Sequence, residues 1–213
     1  MTSATPSGTG RSAADDRVPK RSEPRERLLA SASELFYAEG INTVGVDRIV
    51  AASNVTLATF YRHFPSKQDL VVSYLQRIHD DLVAHAENVA ERVQGADLVA
   101  ELCAEVIAQI GRPGYRGCAF INAASEFEDP KGPIRVVVAE HRGWYYERVR
   151  RAFADAGHAK PSNPARNFVM LRDGAVTAGY LDSATAAKRT FKRGVDGLLW
   201  SIGLETLPGI DED

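Results

Sequence analysis

The chain has 213 residues, of which 44% are hydrophobic, and this is enough for one or two domains with a real core. It has only two cysteines, Cys103 and Cys118, so a disulfide framework is excluded and a reducing cytoplasm is expected. No apolar run reaches the roughly 18 to 20 residues of a membrane helix, and the N-terminus lacks the apolar core of a signal peptide. We therefore expect a cytoplasmic protein with no membrane partner.

The formal net charge of −2 is unevenly distributed along the chain. Residues 20 to 67 contain seven basic and five acidic side chains, whereas residues 68 to 213 carry a net charge of −4. A basic segment that precedes an acidic remainder is typical of a nucleic-acid-binding region joined to a region with another role.

Residues 1 to 22 are mainly Ser, Thr, Gly, Ala and Pro with scattered charges, and this composition predicts a disordered arm. Its basic side chains could reach DNA, and a solvated tail is the alternative. A helix is predicted from about Pro24 to Glu39, because Pro favours a first helical turn and Gly40 favours a helix end.

Residues 43 to 67 predict two short helices joined by a tight turn. Asn54 tolerates the left-handed backbone that ends a helix, and Thr56 is a good N-cap for the next one. Phe60 and Phe64 lie four residues apart, so they are expected to pack inward together. Two helices joined in this way form a helix-turn-helix, whose second helix enters the DNA major groove.

The first turn of that second helix lies nearest the base edges. It contains Thr56, Leu57 and Thr59. Leu57 and the threonine methyl groups can contact a thymine methyl, and the hydroxyls can bond to either kind of base group. Thr43 and Arg48 lie at the start of the preceding helix, where contact with phosphates is expected.

The run NVTLATFYRHFPSKQDL, residues 54 to 70, resembles the signature of the tetracycline-repressor (TetR) family of transcriptional regulators. In that family the short helix ends in an aromatic-rich run, and a Ser-Lys-Glu/Gln-Asp/Glu-Leu sequence begins the next helix. The matching residues here are Phe60, Tyr61, His63, Phe64, Ser66, Lys67, Gln68, Asp69 and Leu70. The chain departs from the pattern at Asn54, where Gly is usual, and at Leu57-Ala58, where a polar residue and Gly are common.

Residues 65 to 94 predict a long helix, which Ser66 caps. Its free N–H groups near Lys67 predict a phosphate site. The resemblance implies that Tyr61 and His63 face phosphates and that Lys67 grips the DNA backbone.

The rest of the chain shows helical periodicity, no alternating strand pattern and no internal repeat, so an all-α fold is predicted. Gly95 is expected to break the long helix and Asp97 to cap the next. Later helices are predicted at about 98–110, 118–126, 133–156, 164–181 and 183–203.

Three regions are predicted from these elements together with the resemblance. They are a disordered arm (1–22), a three-helix helix-turn-helix DNA-binding domain (23–66), and a helical effector-binding and dimerisation domain (67–213). The run that begins at Gly117 also resembles a segment found in a subgroup of TetR-family effector domains.

Ligand pockets in helical bundles lie between helices and are mostly apolar, with few polar groups. A pocket for a small organic effector of unknown identity is predicted from the aromatic and soft residues of the second domain and a few polar ones. The predicted lining is Phe120, Asn122, Phe127, His141, Trp144, Tyr145, Phe168, Met170 and Arg172. Ordinary core packing is the alternative for each of these residues.

The last two predicted helices carry small and apolar residues that favour close packing with a second copy of the chain. The predicted dimer interface consists of Gly174, Ala175, Ala178, Phe191, Gly194, Val195, Leu198 and Leu199. A two-fold dimer matches a palindromic operator in double-stranded DNA. The function predicted is a homodimeric regulator, most simply a repressor released by its effector.

Two other classes of function were considered. A metal-responsive regulator would need His79, His85, His141 and Cys118 to converge from different helices. An enzyme could use Cys118 with His141, or the carboxylates Glu126, Glu128 and Asp129 together. No Gly-rich phosphate loop, nucleophile elbow or carboxylate pair with supporting context accompanies them. We predict no catalytic residues, no metal site and no cofactor.

Overall fold

The computed structural model describes residues 22 to 200, and all regular secondary structure within that range is α-helical. The helices of this range are α1 (Glu23–Glu39), α2 (Val46–Ser53), α3 (Leu57–His63), α4 (Lys67–Ala90), α5 (Gly95–Ile110), α6 (Ala119–Glu126), α7 (Pro133–Asp155), α8 (Ser162–Leu181) and α9 (Ala184–Trp200). We call α1–α3 the head and α5–α9 the body. The all-α prediction is confirmed, whereas nearly all of the predicted arm and the end of the last predicted helix lie outside the described residues.

Local turn chemistry sets the ends of the head helices. Asn54 has left-handed backbone angles, φ 51° and ψ 49°, and ends α2. The backbone N–H of Thr59 donates to Thr56 Oγ1 at 3.1 Å, which begins α3. The N–H of Asp69 donates to Ser66 Oγ at 3.2 Å, which begins α4. The predicted turn and both predicted caps are confirmed.

The boundary between α4 and α5 differs from the prediction. Helix α4 ends at Ala90, and α5 begins at Gly95 with Gln94 as its N-cap residue. Asp97 therefore lies inside the first turn of α5, where its negative charge interacts favourably with the positive end of the helix dipole. The expectation that Asp97 caps this helix is wrong.

One continuous apolar core runs from the head into the body. In the head, Phe60 and Phe64 are buried as predicted, with ring centroids 6.1 Å apart. Phe36 of α1 contacts Tyr74 of α4 edge to face, with centroids 5.6 Å apart. Further along, α4 packs against α7, so this helix belongs to the packing of both head and body.

Helices α8 and α9 are joined by a two-residue connection and pack against each other as an antiparallel hairpin. A Cβ atom on Gly194 would lie 2.8 Å from a methyl carbon of Leu171, and one on Gly179 would lie 2.6 Å from a methyl carbon of Ile110. Both glycines therefore allow close packing within one protomer. The predicted role of Gly194 in the dimer interface stays a prediction.

Other residues predicted for the dimer interface also belong to the protomer core. Phe191, Val195 and Leu199 are 1%, 0% and 1% exposed. The ring of Phe191 packs against that of Phe168, with centroids 5.4 Å apart, and Ala175 is also buried. Val195 and Leu199 are enclosed within one protomer and cannot supply an exposed surface for a second copy, so these two assignments are wrong. Phe191 and Ala175, although nearly buried, also line an apolar groove on α8 and α9, so their predicted role stays a prediction.

Candidate DNA interface and effector site

Helix α3 presents an outward face that carries large apolar groups. Leu57 and Tyr61, one helical turn apart, are 45% and 52% exposed. The ring of Tyr61 stands edge to face on that of buried Phe60, with centroids 5.1 Å apart. The phenol is therefore held in place while its outer edge faces solvent. An exposed apolar face of this kind marks a contact surface.

Two of the residues predicted to read bases bond to each other. The Thr56 and Thr59 hydroxyl oxygens lie 2.9 Å apart, and Thr56 Oγ1 also accepts the Thr59 N–H. Thr56 therefore acts first as the cap of α3. Leu57, which is 45% exposed, is the large apolar side chain of this turn among those predicted to read bases.

The residues predicted to contact phosphates from α2 are exposed beside the helix start. Thr43 lies just before α2, and Arg48 lies within it with its guanidinium 2.6 Å from Glu39 Oε1. Part of the charge of Arg48 is thus already balanced. Sequence reasoning left Arg62 without a role, yet it is exposed in the last turn of α3, and a basic residue at that position was the available signal.

The other two predicted phosphate ligands are half-buried. His63 Nε2 lies 3.4 Å from Ser22 Oγ. Lys67 Nζ lies 6.0 Å from the centroid of the Phe36 ring. Burial lowers the pKa of Lys67, and the nearby carboxylate of Glu126 opposes that shift. Lys67 therefore rests against the head instead of extending freely into solvent.

Five of the nine residues predicted to line the effector pocket meet inside the body. We call them the central cluster, and they are Phe120, His141, Trp144, Tyr145 and Arg172. Phe120 stacks on His141 with centroids 3.5 Å apart and planes within 2°. Trp144 lies 5.6 Å from His141 and 6.3 Å from Tyr145, and the Arg172 guanidinium lies 5.3 Å from the Tyr145 centroid. Helices α6, α7 and α8 thus contribute to one site.

The central cluster contains polar groups that are buried. Tyr145 Oη is inaccessible to solvent and has no hydrogen-bond partner among the described residues, and burial raises the pKa of Tyr145 to about 12. Arg172 donates to Asp173 Oδ1 at 2.9 Å and to Cys118 Sγ at 3.4 Å. A buried hydroxyl without a partner is costly, so a molecule that bonded to Tyr145 Oη would recover that cost.

A residue from α4 also contacts the central cluster. His79 Nδ1 lies 3.3 Å from His141 Nδ1, so one ring donates and the other accepts. Burial, and after it the positive charge of Arg172, lower the pKa of His141 to about 3, so His141 is neutral at pH 7. Sequence reasoning had linked His79 only to a metal site, although its spacing of four residues from Leu75 placed it near the inner face of α4.

The residues proposed for a metal site do not converge. His79 and His141 meet, but His85 Nε2 lies 3.3 Å from Glu105 Oε1, and Cys118 contacts Arg172. Within residues 22 to 200, no group of three or more His, Cys, Asp and Glu side chains could hold a metal ion.

The remaining predicted pocket residues lie elsewhere. Asn122 is at the junction of head and body, where its side-chain amide donates to the Arg116 carbonyl at 2.8 Å. Phe127 follows the end of α6, Phe168 is enclosed in the core, and Met170 is 73% exposed. Two residues along a helix correspond to a rotation of about 200°, so Phe168 and Met170 cannot share a face. Their joint assignment to one pocket is wrong.

Met170 instead lines an apolar groove on α8 and α9 with a volume of about 670 Å³. Gly174, Ala178 and Leu198 line it too, and the space above Gly174 is open. We call this surface the α8–α9 groove. Leu181, at the end of α8, is also 67% exposed. Gly174, Ala178 and Leu198, which were predicted for the dimer interface, thus line an exposed surface. Met170, which was predicted for the effector pocket, lies beside them.

Comparison with known proteins identifies the family to which this fold belongs. The model of the family "Bacterial regulatory proteins, tetR family" matches residues 28 to 74, which cover most of the head and the start of α4. A TetR-family transcriptional regulator from Streptomyces coelicolor, known from its crystal structure, is 40% identical with a TM-score of 0.81. The match covers 85% of this chain and 97% of that one. This chain belongs to the TetR family. It is a DNA-binding transcriptional regulator and not an enzyme, as the sequence predicted.

Curated relatives match over about a third of this chain. The HTH-type transcriptional activator FasR of Mycolicibacterium smegmatis is 41% identical over 69 residues, which are 32% of this chain and 31% of that protein. An HTH-type transcriptional regulator of Staphylococcus aureus (strain USA300) is 32% identical over 69 residues, 32% of this chain and 37% of that protein. The matches therefore span about a third of these relatives. Among residues 22 to 200, no helix of this TetR-family chain is long and apolar enough to cross a membrane.

Neutral, buried His141 should make stability depend on pH. The unfolded chain takes up a proton on this histidine near pH 6.5 and the folded chain does not, so stability is lost as the pH falls. Between pH 6.5 and pH 5 the loss should reach at most about 2 kcal/mol. Denaturant unfolding at a series of pH values should show this loss, and His141→Asn should reduce it.

His85→Asn is the matched control, because the His85 side chain is 54% exposed. It should retain the wild-type pH dependence. An unchanged pH dependence in His141→Asn would contradict this account of the buried ring.

Proposed function

We propose that this TetR-family regulator is a homodimeric repressor that leaves a palindromic operator when a small organic effector binds the central cluster. Residues 23 to 66 would bind DNA, residues 67 to 213 would bind the effector and dimerise, and the protein would act in the cytoplasm, where bacterial operator DNA lies. The single observation that carries the DNA-binding part is the outward face of α3, with Leu57 and Tyr61 exposed on a rigid helix.

The roles of the head residues follow from their exposure. Leu57 would contact a thymine methyl in the major groove, since its apolar side chain is 45% exposed in the first turn of α3. The Tyr61 hydroxyl would donate a hydrogen bond to a phosphate oxygen, because the Tyr61 ring packs on Phe60 while the residue remains 52% exposed. The positive charges of Arg48 and Arg62 would attract the phosphates of the same DNA backbone.

Two substitutions separate positioning from base reading. Tyr61→Phe keeps the ring on Phe60 but removes the hydroxyl, so it should weaken binding about fivefold, by the ~1 kcal/mol of one hydrogen bond. The loss should be similar for all operator variants. Leu57→Ala should instead change the preferred base at one position in each half-site.

The measurement is affinity for a duplex that the wild-type protein selects from a random pool, and for its single-base variants. Affinity should fall steeply with salt concentration, because phosphate contacts release counterions. An affinity for the selected duplex that did not depend on salt would contradict this interface.

The α8–α9 groove supports the dimer. It is apolar, open, and flanked by the exposed side chains of Met170 and Leu181. The α8 residues Met170, Gly174 and Ala178 recur every four positions, so they form a stripe on which a two-fold related α8–α9 hairpin could pack. The resulting four-helix bundle would hold two heads at the spacing of two operator half-sites.

Met170→Glu should break this dimer, since it places a charge in the groove without disturbing the protomer core. Light scattering should report half the wild-type mass, with unchanged helix content. Leu82→Glu is the control, because Leu82 is also exposed but lies on α4. If Met170→Glu remains dimeric, another surface forms the dimer.

The central cluster supports the effector site. Its rings offer an apolar surface, and Tyr145 Oη and Arg172 offer donors for an acceptor on the ligand. An aromatic or apolar molecule with such an acceptor fits this chemistry. The contact of His79 with His141 ties the site to α4, which enters the head. A hundredfold loss of operator affinity would need a coupling of about 2.7 kcal/mol, which is usual for allostery.

Trp144→Ala should keep operator binding and lose the response to the effector. Operator affinity is measured with and without the members of a panel of aromatic acids, phenols and amides, for wild type and mutant. Val136→Ala is the control, because Val136 is an exposed residue on the same helix, and this variant should respond normally. A normal response in Trp144→Ala would place the pocket elsewhere, and a wild type that responds to no organic compound would end the effector proposal.

A further inference from the structure

A carboxylate from the body holds the loop that leads into the DNA-binding helices. Glu126 is the last residue of α6. The backbone N–H groups of Ile41 and Asn42 donate to its two carboxylate oxygens, at 3.0 and 2.6 Å. The side-chain amide of Asn42 donates in turn to the Glu126 carbonyl at 3.3 Å. These three hydrogen bonds join segments that are 84 or 85 residues apart in sequence.

A second contact lies just before α6. The Tyr37 hydroxyl donates to the Gly117 carbonyl at 3.1 Å and accepts the Arg116 N–H at 2.9 Å. Tyr37, near the end of α1, is therefore bonded to the segment just before α6, and the loop after α1 is bonded to Glu126 at the end of α6.

The position of Ile41 and Asn42 explains why the carboxylate matters. They follow Gly40, whose positive φ of 92° ends α1, so neither N–H group continues a helix. Thr43, expected to contact phosphate, comes next, and α2 begins three residues later. Whatever fixes these two N–H groups also fixes the direction in which the chain enters α2.

We propose that Glu126 is a positioning residue for operator binding: by holding Ile41 and Asn42 it sets the orientation of α2 and α3 relative to the body. The pair of backbone bonds is charge-assisted and therefore stronger than bonds between neutral groups. This proposal rests on the proposed DNA-binding role of the head and does not depend on the effector.

If Glu126 acted only through its charge, removing its carboxylate would change DNA affinity in the opposite direction from that expected of a positioning role. Glu126 brings a negative charge close to Lys67, one of the predicted phosphate ligands. If the charge alone mattered, its removal would strengthen attraction to DNA. If the carboxylate positions the loop, its removal weakens binding, because the head must then be ordered when DNA binds. The sign of the change therefore separates the two roles.

The experiment compares Glu126→Ala, Glu126→Gln and Glu128→Ala in the full chain. Operator affinity is measured with the duplex that wild type selects from a random pool. Glu126→Ala should weaken binding about tenfold, or about 1.4 kcal/mol. Glu126→Gln keeps one acceptor oxygen and should weaken it about threefold. Glu128→Ala removes an exposed acid two residues away and should leave affinity unchanged or slightly higher.

Hydrogen exchange provides a readout that does not involve DNA. In Glu126→Ala, peptides spanning residues 38 to 45 should exchange faster, while those from α8 and α9 should match wild type. Tighter or unchanged DNA binding in Glu126→Ala would overturn the proposal. Faster exchange throughout the protein would also overturn it, because Glu126 would then be a general stabilising residue.

The test also separates this proposal from the proposed function. If wild type selects no duplex, the DNA-binding role fails and the positioning role fails with it, whatever the exchange rates. If wild type selects a duplex and the Glu126 variants bind it normally, only the positioning role fails.

Discussion

The packing of α4 against both α1 and α7 is the constraint on which the rest of this structure depends. This helix has 24 residues and is therefore about 36 Å long at ~1.5 Å per residue. Tyr74, in the first third of the helix, packs against Phe36 of the head, and His79, five residues later, meets His141 of the body. A rigid displacement of α4 at His79 would therefore also displace Tyr74 and its contact with Phe36 of the head.

Helix α6 is a second and shorter link between the same regions. Phe120 near its start stacks on His141, and Glu126 at its end bonds to the loop before α2. These two residues are separated by about 9 Å along the helix axis, at ~1.5 Å per residue. The central cluster therefore contacts both helices that reach the head, so the site proposed for the effector lies where it can influence head orientation.

Local features of the head could be predicted from the sequence alone. Asn54 ends a helix because its backbone tolerates the left-handed conformation, and Thr56 and Ser66 begin helices because their side chains accept backbone N–H groups. Each of these effects acts over three or four residues, so it can be identified from a short run of sequence. The same short range explains why the family resemblance was readable in the head, where the motif is compact.

Long-range neighbours were decided only by the tertiary structure. Periodicity showed that Phe191 and Met170 lie on α9 and α8, but not that Phe191 packs inside the protomer on Phe168 while Met170 faces outward. It also gave no sign that Glu126 bonds to Ile41. The sequence by itself determined the helices, the head motif and the family. The tertiary structure decided which apolar faces pack within the protomer and which polar groups meet, because these depend on how helices distant in sequence are oriented in space.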